Sequence, residues 1–517
     1  MFLFKKVVLS LVFINFIFAI IAEYIEVYND KNIPYYVLCR PKMNFDNSII
    51  SAELYTTVAD YQRGQNNNGV VFFKRKNSNS FLLNNGIDEI SETPIPSNAG
   101  LISWSTDNNN IKNPIFPGFY IVEQEGLQYG KENITMGKIL SFNASEEELN
   151  QFKSQRKGFF EPRNGIVFQK FKPKFKKSIV DNKQAIKNVI NIDNSDIEKV
   201  YDMKYIKYEI PQNFSKDSEL NKFPDRLFYL YKNTLNSKLL KSNAPNYAEN
   251  NYKVLPKESI KNLLIDEKRY EDTLKLNLSI MGFDATQKYR KDWERKLPYY
   301  NIVIQENGGE YQNRIYFLCN DDGKSNDFVP IFQSKDSEKA SQIEPLFNYK
   351  GDKISFLSRK SNKLYDLFVV DIKDCSDCNS FINNYKNNPL ELNYFKIDTD
   401  ISGPDEWLDL QNWNSYCWHP SKNIIFYIKK EFDEENQNTY PIYYYDFVKQ
   451  KGGKIKNIPT EANKYPSLSF DGNYLLFSFS GTKTGINNSN YSFENTDKKE
   501  FHYNKVHSIG VAKLIYD

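Results

Sequence analysis

A pattern that returns three times toward the C-terminal end constrains this chain more than any other feature. The first copy runs from Pro345, Leu346 and Phe347 through Asn348, Tyr349, Lys350, Gly351 and Asp352 into Lys353–Arg359, then on to Leu367, Phe368, Val369, Val370 and Asp371. The second has Trp418, His419, Pro420, Ser421, Lys422 and Asn423 before Ile424–Ile428, then Ile442–Asp446. The third has Pro466, Ser467, Leu468 and Ser469, then Phe470, Asp471, Gly472 and Asn473, before Tyr474–Ser480. Each copy sets a polar turn in front of a run of β-branched and aromatic residues. Asp471-Gly472 suits a tight turn, because glycine has no Cβ to clash at positive φ and aspartate can hydrogen-bond its own backbone. After that turn, Tyr474 and Leu476 alternate with less apolar neighbours at the period of a strand. One hairpin cannot bury such a face, so several must pack together.

The three copies resemble the TolB-type, WD40-like β-propeller repeat, whose blades carry an aromatic-Ser-Pro-Asp-Gly turn, a strand ending in Phe-x-Ser and an apolar strand closing on Asp. Residues 466–480 fit that pattern best. Residues 345–371 place Asn348 to Asp352 where the turn belongs, and 418–446 keep Trp418 and Pro420 but lose the glycine. The resemblance implies a mainly β fold, a propeller of roughly six to eight blades. It speaks to architecture more than to activity.

At the other end, Lys5 and Lys6 precede an apolar run from Val7 to Ala22, and polar sequence begins at Glu23. The run is short for a bilayer span and has the layout of a cleaved secretory signal with Ala22 as its last residue; an uncleaved N-terminal anchor is the alternative. No second apolar stretch is long enough to cross a membrane. The expected product is secreted, extracellular or held at the cell surface, with no membrane span after signal cleavage. Net charge is +3, or +1 without Lys5 and Lys6, so no global field asks for nucleic acid or an anionic surface. Sequons such as Asn133-Ile134-Thr135, Asn213-Phe214-Ser215 and Asn490-Tyr491-Ser492 would make it a glycoprotein in a eukaryotic secretory pathway.

The order of segments suggests a signal at 1–22, a β-rich region at 23–175, a helical insertion or small helical subdomain at 176–296, and propeller blades at 297–517. In the second segment, strands are expected at Tyr35–Leu38, Val70–Lys74, Phe81–Leu83, Leu101–Trp104, Phe119–Val122 and Gly165–Phe171, as degenerate early blades without the clear turn. Ser145–Lys157 reads as a capped helix. Asp196–Ile206, Leu220–Leu240 and Glu258–Leu276 also read as helices.

Four clusters carry candidate chemistry. Asp398, Asp400, Ser402 and Asp409 fall at calcium-loop spacing with Gly403 at the sixth position, because a hard cation needs several oxygens around a sharp turn. Asp405 sits where that loop wants an apolar residue and Asp409 replaces its glutamate, so the run also reads as an acidic solvated turn. Trp407 and Trp413 could form a stacking platform for sugar rings, whereas Trp418 belongs to packing between blades. Cys375 and Cys378 could close a small disulfide in an oxidising compartment. Lys170, Lys172, Lys174, Lys176 and Lys177 alternate with Phe171 and Phe175, as a basic stripe or a protected edge strand. No catalytic residue is assigned: His419 sits in a turn motif, and no nucleophile elbow, zinc helix or phosphate loop is present in the sequence.

The function that best fits is a secreted binding or scaffold protein for an extracellular protein or polysaccharide, without chemistry and with no cofactor beyond calcium. The alternative is a secreted carbohydrate-active propeller, a glycosidase or lyase using channel carboxylates. A third reading, the propeller part of a peptidase-like architecture, meets a chain whose last repeat is followed directly by Asp517.

Overall fold

The computed structural model describes residues 20–26, 37–44, 47, 49–55, 69–77, 80–82, 99–104, 119–125, 136–142, 186–190, 200–206, 226–231, 234–239, 253–254, 279–288, 299–307, 314–318, 328–331, 341–360, 364–372, 394–403, 415–460, 463–479 and 508–516. Regular structure is β throughout, with no helix among the described residues.

After β1 (Ile21–Glu26), four strands pair in chain order: β2 (Val37–Met43), β3 (Ile49–Tyr55), β4 (Gly69–Asn77) and β5 (Ser80–Leu82). The same order repeats in β6 (Ala99–Trp104), β7 (Phe119–Glu125), β8 (Met136–Phe142) and β9 (Ile186–Ile190). It repeats again in β10 (Val200–Ile206), β11 (Arg226–Tyr231), β12 (Thr234–Leu239) and β13 (Lys253–Val254). The next two sheets are β14 (Ser279–Lys288) with β15 (Tyr299–Asn307), β16 (Arg314–Leu318) and β17 (Phe328–Pro330), and β18 (Gln342–Phe347) with β19 (Lys353–Arg359), β20 (Leu364–Asp371) and β21 (Tyr394–Ser402). In the sixth, β22 (Tyr416–Trp418) and β23 (Ile424–Ile428) are separated from β26 (Ile442–Asp446) and β27 (Lys451–Lys454) by a ribbon of β24 (Glu431–Phe432) and β25 (Asn438–Thr439). Finally, β28 (Lys464–Leu468), β29 (Tyr474–Phe479) and β30 (Ser508–Ile515) take β1 as their outer neighbour, so the first and last described strands share one antiparallel sheet. Among the described residues the tally is seven four-stranded sheets and one two-stranded ribbon.

The chain divides into two compact units. The first holds Met1–Ala52, Phe72–Gly86 and Asn414–Asp517, and the second holds Glu53–Val71 and Ile87–Trp413. In the first, every residue of β23 and of β29 is buried. The alternation expected for Tyr474 and Leu476 therefore does not mark a wet face: Leu475, Phe477 and Ser478 are buried as well. Strands covered on both faces read as continuous apolar runs, and Ile424–Ile428 is such a run. In the second unit, Val303, Ile315, Phe317 and Ile331 meet Phe347, Ile354, Phe356 and Val370 in one core, with the Phe317 and Phe347 rings edge to face at 6.2 Å.

The helical reading of 176–296 is corrected where the chain is described. Asp196–Ile206 contains β10, and Leu220–Leu240 contains the hairpin of β11 and β12, in which Tyr231 pairs with Thr234 across only two residues. Val200, Tyr201, Phe228 and Tyr229 are β-formers whose preference outweighs the leucines and lysines that suggested a helix. Glu258–Leu276 and Ser145–Lys157 lie outside the described residues, as does Gly165–Phe171. The other early strands are found, and β3 and β8 join them unforeseen.

One irregularity recurs on an edge strand of three sheets. Arg40, Glu344 and Tyr465 have φ of 48°, 55° and 52°, and each precedes a proline: Pro41, Pro345 and Pro466. The ladder slips there, between Ile343 and Leu346 and between Lys464 and Ser467. Proline cannot donate to the partner strand, so a bulge at that point costs the sheet least.

Candidate functional site

Three residues beyond each of those prolines a turn begins, and its polar side chains bond the turn's own backbone. In the β18–β19 turn, Asn348 Oδ1 accepts the amides of Asp352 and Lys353, both at 3.0 Å, and its Nδ2 donates to Asp352 Oδ1 at 2.6 Å. In the β28–β29 turn, Ser469 takes that place, with its Oγ accepting the Tyr474 amide at 3.0 Å. In the β22–β23 turn, His419 takes it: Nδ1 accepts the amides of Ser421 and Lys422, both at 3.1 Å. The backbone repeats too, since Gly351 and Gly472 donate to the carbonyls of Asn348 and Ser469, and Asn47 donates to that of Asn44.

That last bond reveals a copy of the repeat that sequence reasoning missed. Asn44, Phe45, Asp46 and Asn47 match Ser469, Phe470, Asp471 and Gly472, with Pro41 three residues ahead as Pro466 is. Asn47 has φ of 60° where Gly472 has 73°. Asparagine tolerates that conformation, so the turn survives without the glycine on which recognition relied.

Within the first unit these turns touch. Asn47 Nδ2 donates to Asp471 Oδ2 at 2.6 Å, and the same carboxylate accepts Ser469 Oγ at 2.6 Å and the Asn473 amide at 3.0 Å. Burial pushes the Asp471 pKa up, but the hydrogen bonds from Ser469, Asn473 and Asn47 together outweigh it and hold the carboxyl below its usual value. The His419 ring lies edge to face with Tyr516, centroids 5.3 Å apart, and the Tyr516 hydroxyl donates to the Gly472 carbonyl at 2.7 Å. Lys422 Nζ stands 3.5 Å from the centre of the Tyr516 ring.

This geometry holds His419 as a neutral spacer. Two amides donating to Nδ1 put the ring proton on Nε2, which is buried without a hydrogen-bond partner. Burial first, then the charge of Lys422, push its pKa down to about 4, against a smaller upward pull from Asp471. The folded chain therefore refuses a proton that the unfolded chain accepts. The stabilisation is fully present above the ordinary value of 6.5 and is lost as pH falls toward about 4. The expected loss over that window is about 1–2 kcal/mol, allowing for solvent screening. Urea melts of wild type and His419→Asn at pH 7 and pH 4.5 check it, because asparagine keeps the turn as Asn348 does and removes the titration.

The other candidates fare as follows. Asp398, Asp400 and Ser402 lie on β21 rather than on a loop curled around a cation. Asp398 Oδ1 accepts the Thr399 amide at 2.8 Å, Asp400 pairs with Lys360 at 3.4 Å, and Ser402 is buried. A bulge at Thr399-Asp400, with Asp400 at φ 61°, interrupts the alternation that would face the three side chains together. Among the described residues no group of three or more His, Cys, Asp or Glu is placed to hold a metal ion. Asp409, Trp407, Trp413, Cys375, Cys378 and the lysines at 170–177 lie outside the described residues. Trp418 stacks on Phe447 at 5.5 Å, just beyond β26 in its own sheet. Cys417 is a free thiol whose pKa burial pushes up, so it is no ready nucleophile.

No family model matches this chain, and no curated protein sequence does. Solved structures do. The β-propeller domain of Cps50 (Swd1) from Myceliophteria thermophila shares 8% identity, covering 96% of this chain and 100% of that one at a TM-score of 0.42. Oligogalacturonate lyase from Vibrio parahaemolyticus shares 8% over 96% and 97% at 0.39. Prolyl oligopeptidase B from Galerina marginata shares 9% at 0.38; the match covers 86% of this chain but 46% of that one, about half its length. The similar structures are β-propeller proteins, scaffold and enzyme alike, and at these identities and scores no activity passes from them to this chain.

Proposed function

We propose that this chain is a secreted β-propeller, its seven four-stranded sheets serving as blades of the TolB-like kind, which binds an extracellular protein or polysaccharide without chemistry. The observation that carries the reading is how the repeated turns divide their residues. Asn348, Ser469, His419 and Asp471 are spent on holding backbone amides and neighbouring turns. The next residue in the turn is left outside: Tyr349 is 38% exposed and Phe470 42%. A ring presented to solvent on a rigid turn, beside polar groups such as Asn473, suits stacking against a sugar or an aromatic anchor of a partner. A neutral histidine with its acceptor nitrogen occupied, and a thiol raised by burial, suit acid-base or nucleophilic work poorly.

The test is a polysaccharide array probed with the purified protein, with and without calcium. Binding is expected to be calcium-independent and to weaken at least tenfold in Phe470→Ala, a hot-spot effect of about 1.4 kcal/mol or more. Binding unchanged by Phe470→Ala and Tyr349→Ala would sink the turn surface as the site. Turnover of any bound glycan would replace binding by catalysis.

A further inference from the structure

The first described residues lie where the secretion signal was expected to end. Ile20 and Ala22 are buried, at 6% and 1% exposure. The Ile20 amide donates to the Tyr444 hydroxyl at 3.3 Å, the Ala22 amide to the Lys456 carbonyl at 3.4 Å, and Asn457 Nδ2 to the Ala22 carbonyl at 3.3 Å. On the opposite side, Ile21 and Ala22 pair with Ile515 and Leu514 of β30, while Ile21 also bridges to Lys456. Three residues thus stitch the outer edge of the last sheet to the segment after β27. A chain cut after Ala22 would begin at Glu23, strip this seam, and take its cross-strand partner from Leu514, now 5% exposed. It would also take the amide partner from the Lys456 carbonyl.

We infer that the leader is removed at the Ala19–Ile20 peptide bond, three residues earlier than the sequence alone suggests, and that the mature protein begins at Ile20. Ala19 supplies the small residue that cleavage wants before the cut, as Ala22 does, so the local sequence offers two bonds, and only the first leaves the seam of Ile20–Ala22 in the folded protein. The step is hydrolysis: the amide breaks, water provides the second oxygen of the Ala19 carboxylate, and its protons go to the released Ile20 amine and to solvent. That amine keeps the Tyr444 hydroxyl as its acceptor. Apolar Ile20 and Ile21 then belong to the core rather than to the discarded run, which leaves Val7–Ala19 as its apolar part.

The inference rests on the proposed secretion, so two measurements separate them. The full chain is expressed in a secreting eukaryotic cell and the N-terminal peptide of the exported protein is identified by mass spectrometry. Ile20 as first residue is the expected result. A start at Glu23 overturns the inference and leaves secretion standing, whereas a chain retaining Met1 overturns both. Independently of export, chains released from a fusion to begin at Ile20 or at Glu23 are melted in urea. The Glu23 form is expected to unfold at a lower midpoint; equal midpoints overturn the structural argument for the seam.

Discussion

Gly472→Ala lowers the stability of the folded chain by about 3 kcal/mol, as the sum of two separable costs. The first is conformational. Gly472 has φ of 73°, where a side chain brings its Cβ against the following carbonyl, a penalty of about 1–2 kcal/mol. The second is steric, because a Cβ at this position would overlap Cε1 and Nε2 of His419. His419 cannot turn away freely: its other nitrogen is held by two amides and its ring packs nearly at right angles to Tyr516. Gly351, with φ of 66° in the β18–β19 turn, carries the conformational demand without His419 against it, so Gly351→Ala is expected to cost about 1 kcal/mol. Urea melts of the two variants measure the difference. Adding His419→Ala to Gly472→Ala should return part of the larger cost, which a double-mutant cycle reads directly. Equal costs for the two glycine variants would mean that the ring yields and the turns are not coupled.

This coupling shows where the sequence could be read and where it could not. The Asp471-Gly472 turn was legible because glycine and aspartate announce positive φ to any reader of local chemistry. The matching turn at Asn44–Asn47 went unseen because asparagine adopts the same backbone without announcing it, and because its meaning depends on Asp471, 424 positions away in sequence. The closing aspartates were legible in part: Asp371 pairs with Lys353 and Asp446 holds the amides of Val448 and Lys449, but β30 presents Lys513 opposite Tyr474. Helix was inferred over β10 to β12 because leucine, lysine and tyrosine fit either period over short runs, and strand pairing decides between them. Of the calcium-spaced residues, Asp398, Asp400 and Ser402 lie on β21, which pairs with β20 through a shifted register, and Asp409 lies outside the described residues. His419 was read as part of a turn motif, and its Nδ1 accepts two amides of that same turn.

The second large effect lies in the other unit, where no motif pointed. Asp284 on β14 has a side chain 3% exposed, and it binds across three successive sheets through their first strands. Its Oδ1 receives the Lys204 ammonium from β10 and the Ala285 amide at 2.8 Å; its Oδ2 receives the Phe347 amide from β18 at 2.8 Å. Asp284→Ala removes the acceptor of two backbone donors together with the counter-charge of Lys204. Breaking a buried pair from its buried side is expected to cost about 3–4 kcal/mol, since the amides are left in an apolar setting among Phe283, Ala285 and Phe347. Lys204 is 42% exposed and can turn to water, so Lys204→Met should cost far less, about 1 kcal/mol. Asp284→Asn keeps one acceptor but turns an NH2 toward either the lysine or an amide, and should fall between, at about 2 kcal/mol. The order alanine, asparagine, then the lysine variant in urea unfolding would identify capture of the backbone amides as the main contribution. If Lys204→Met proved as costly as Asp284→Ala, the ion pair would carry the joint and the amide bonds would be secondary. A loss below about 1 kcal/mol for Asp284→Ala would remove this residue from the account of what holds the three sheets together.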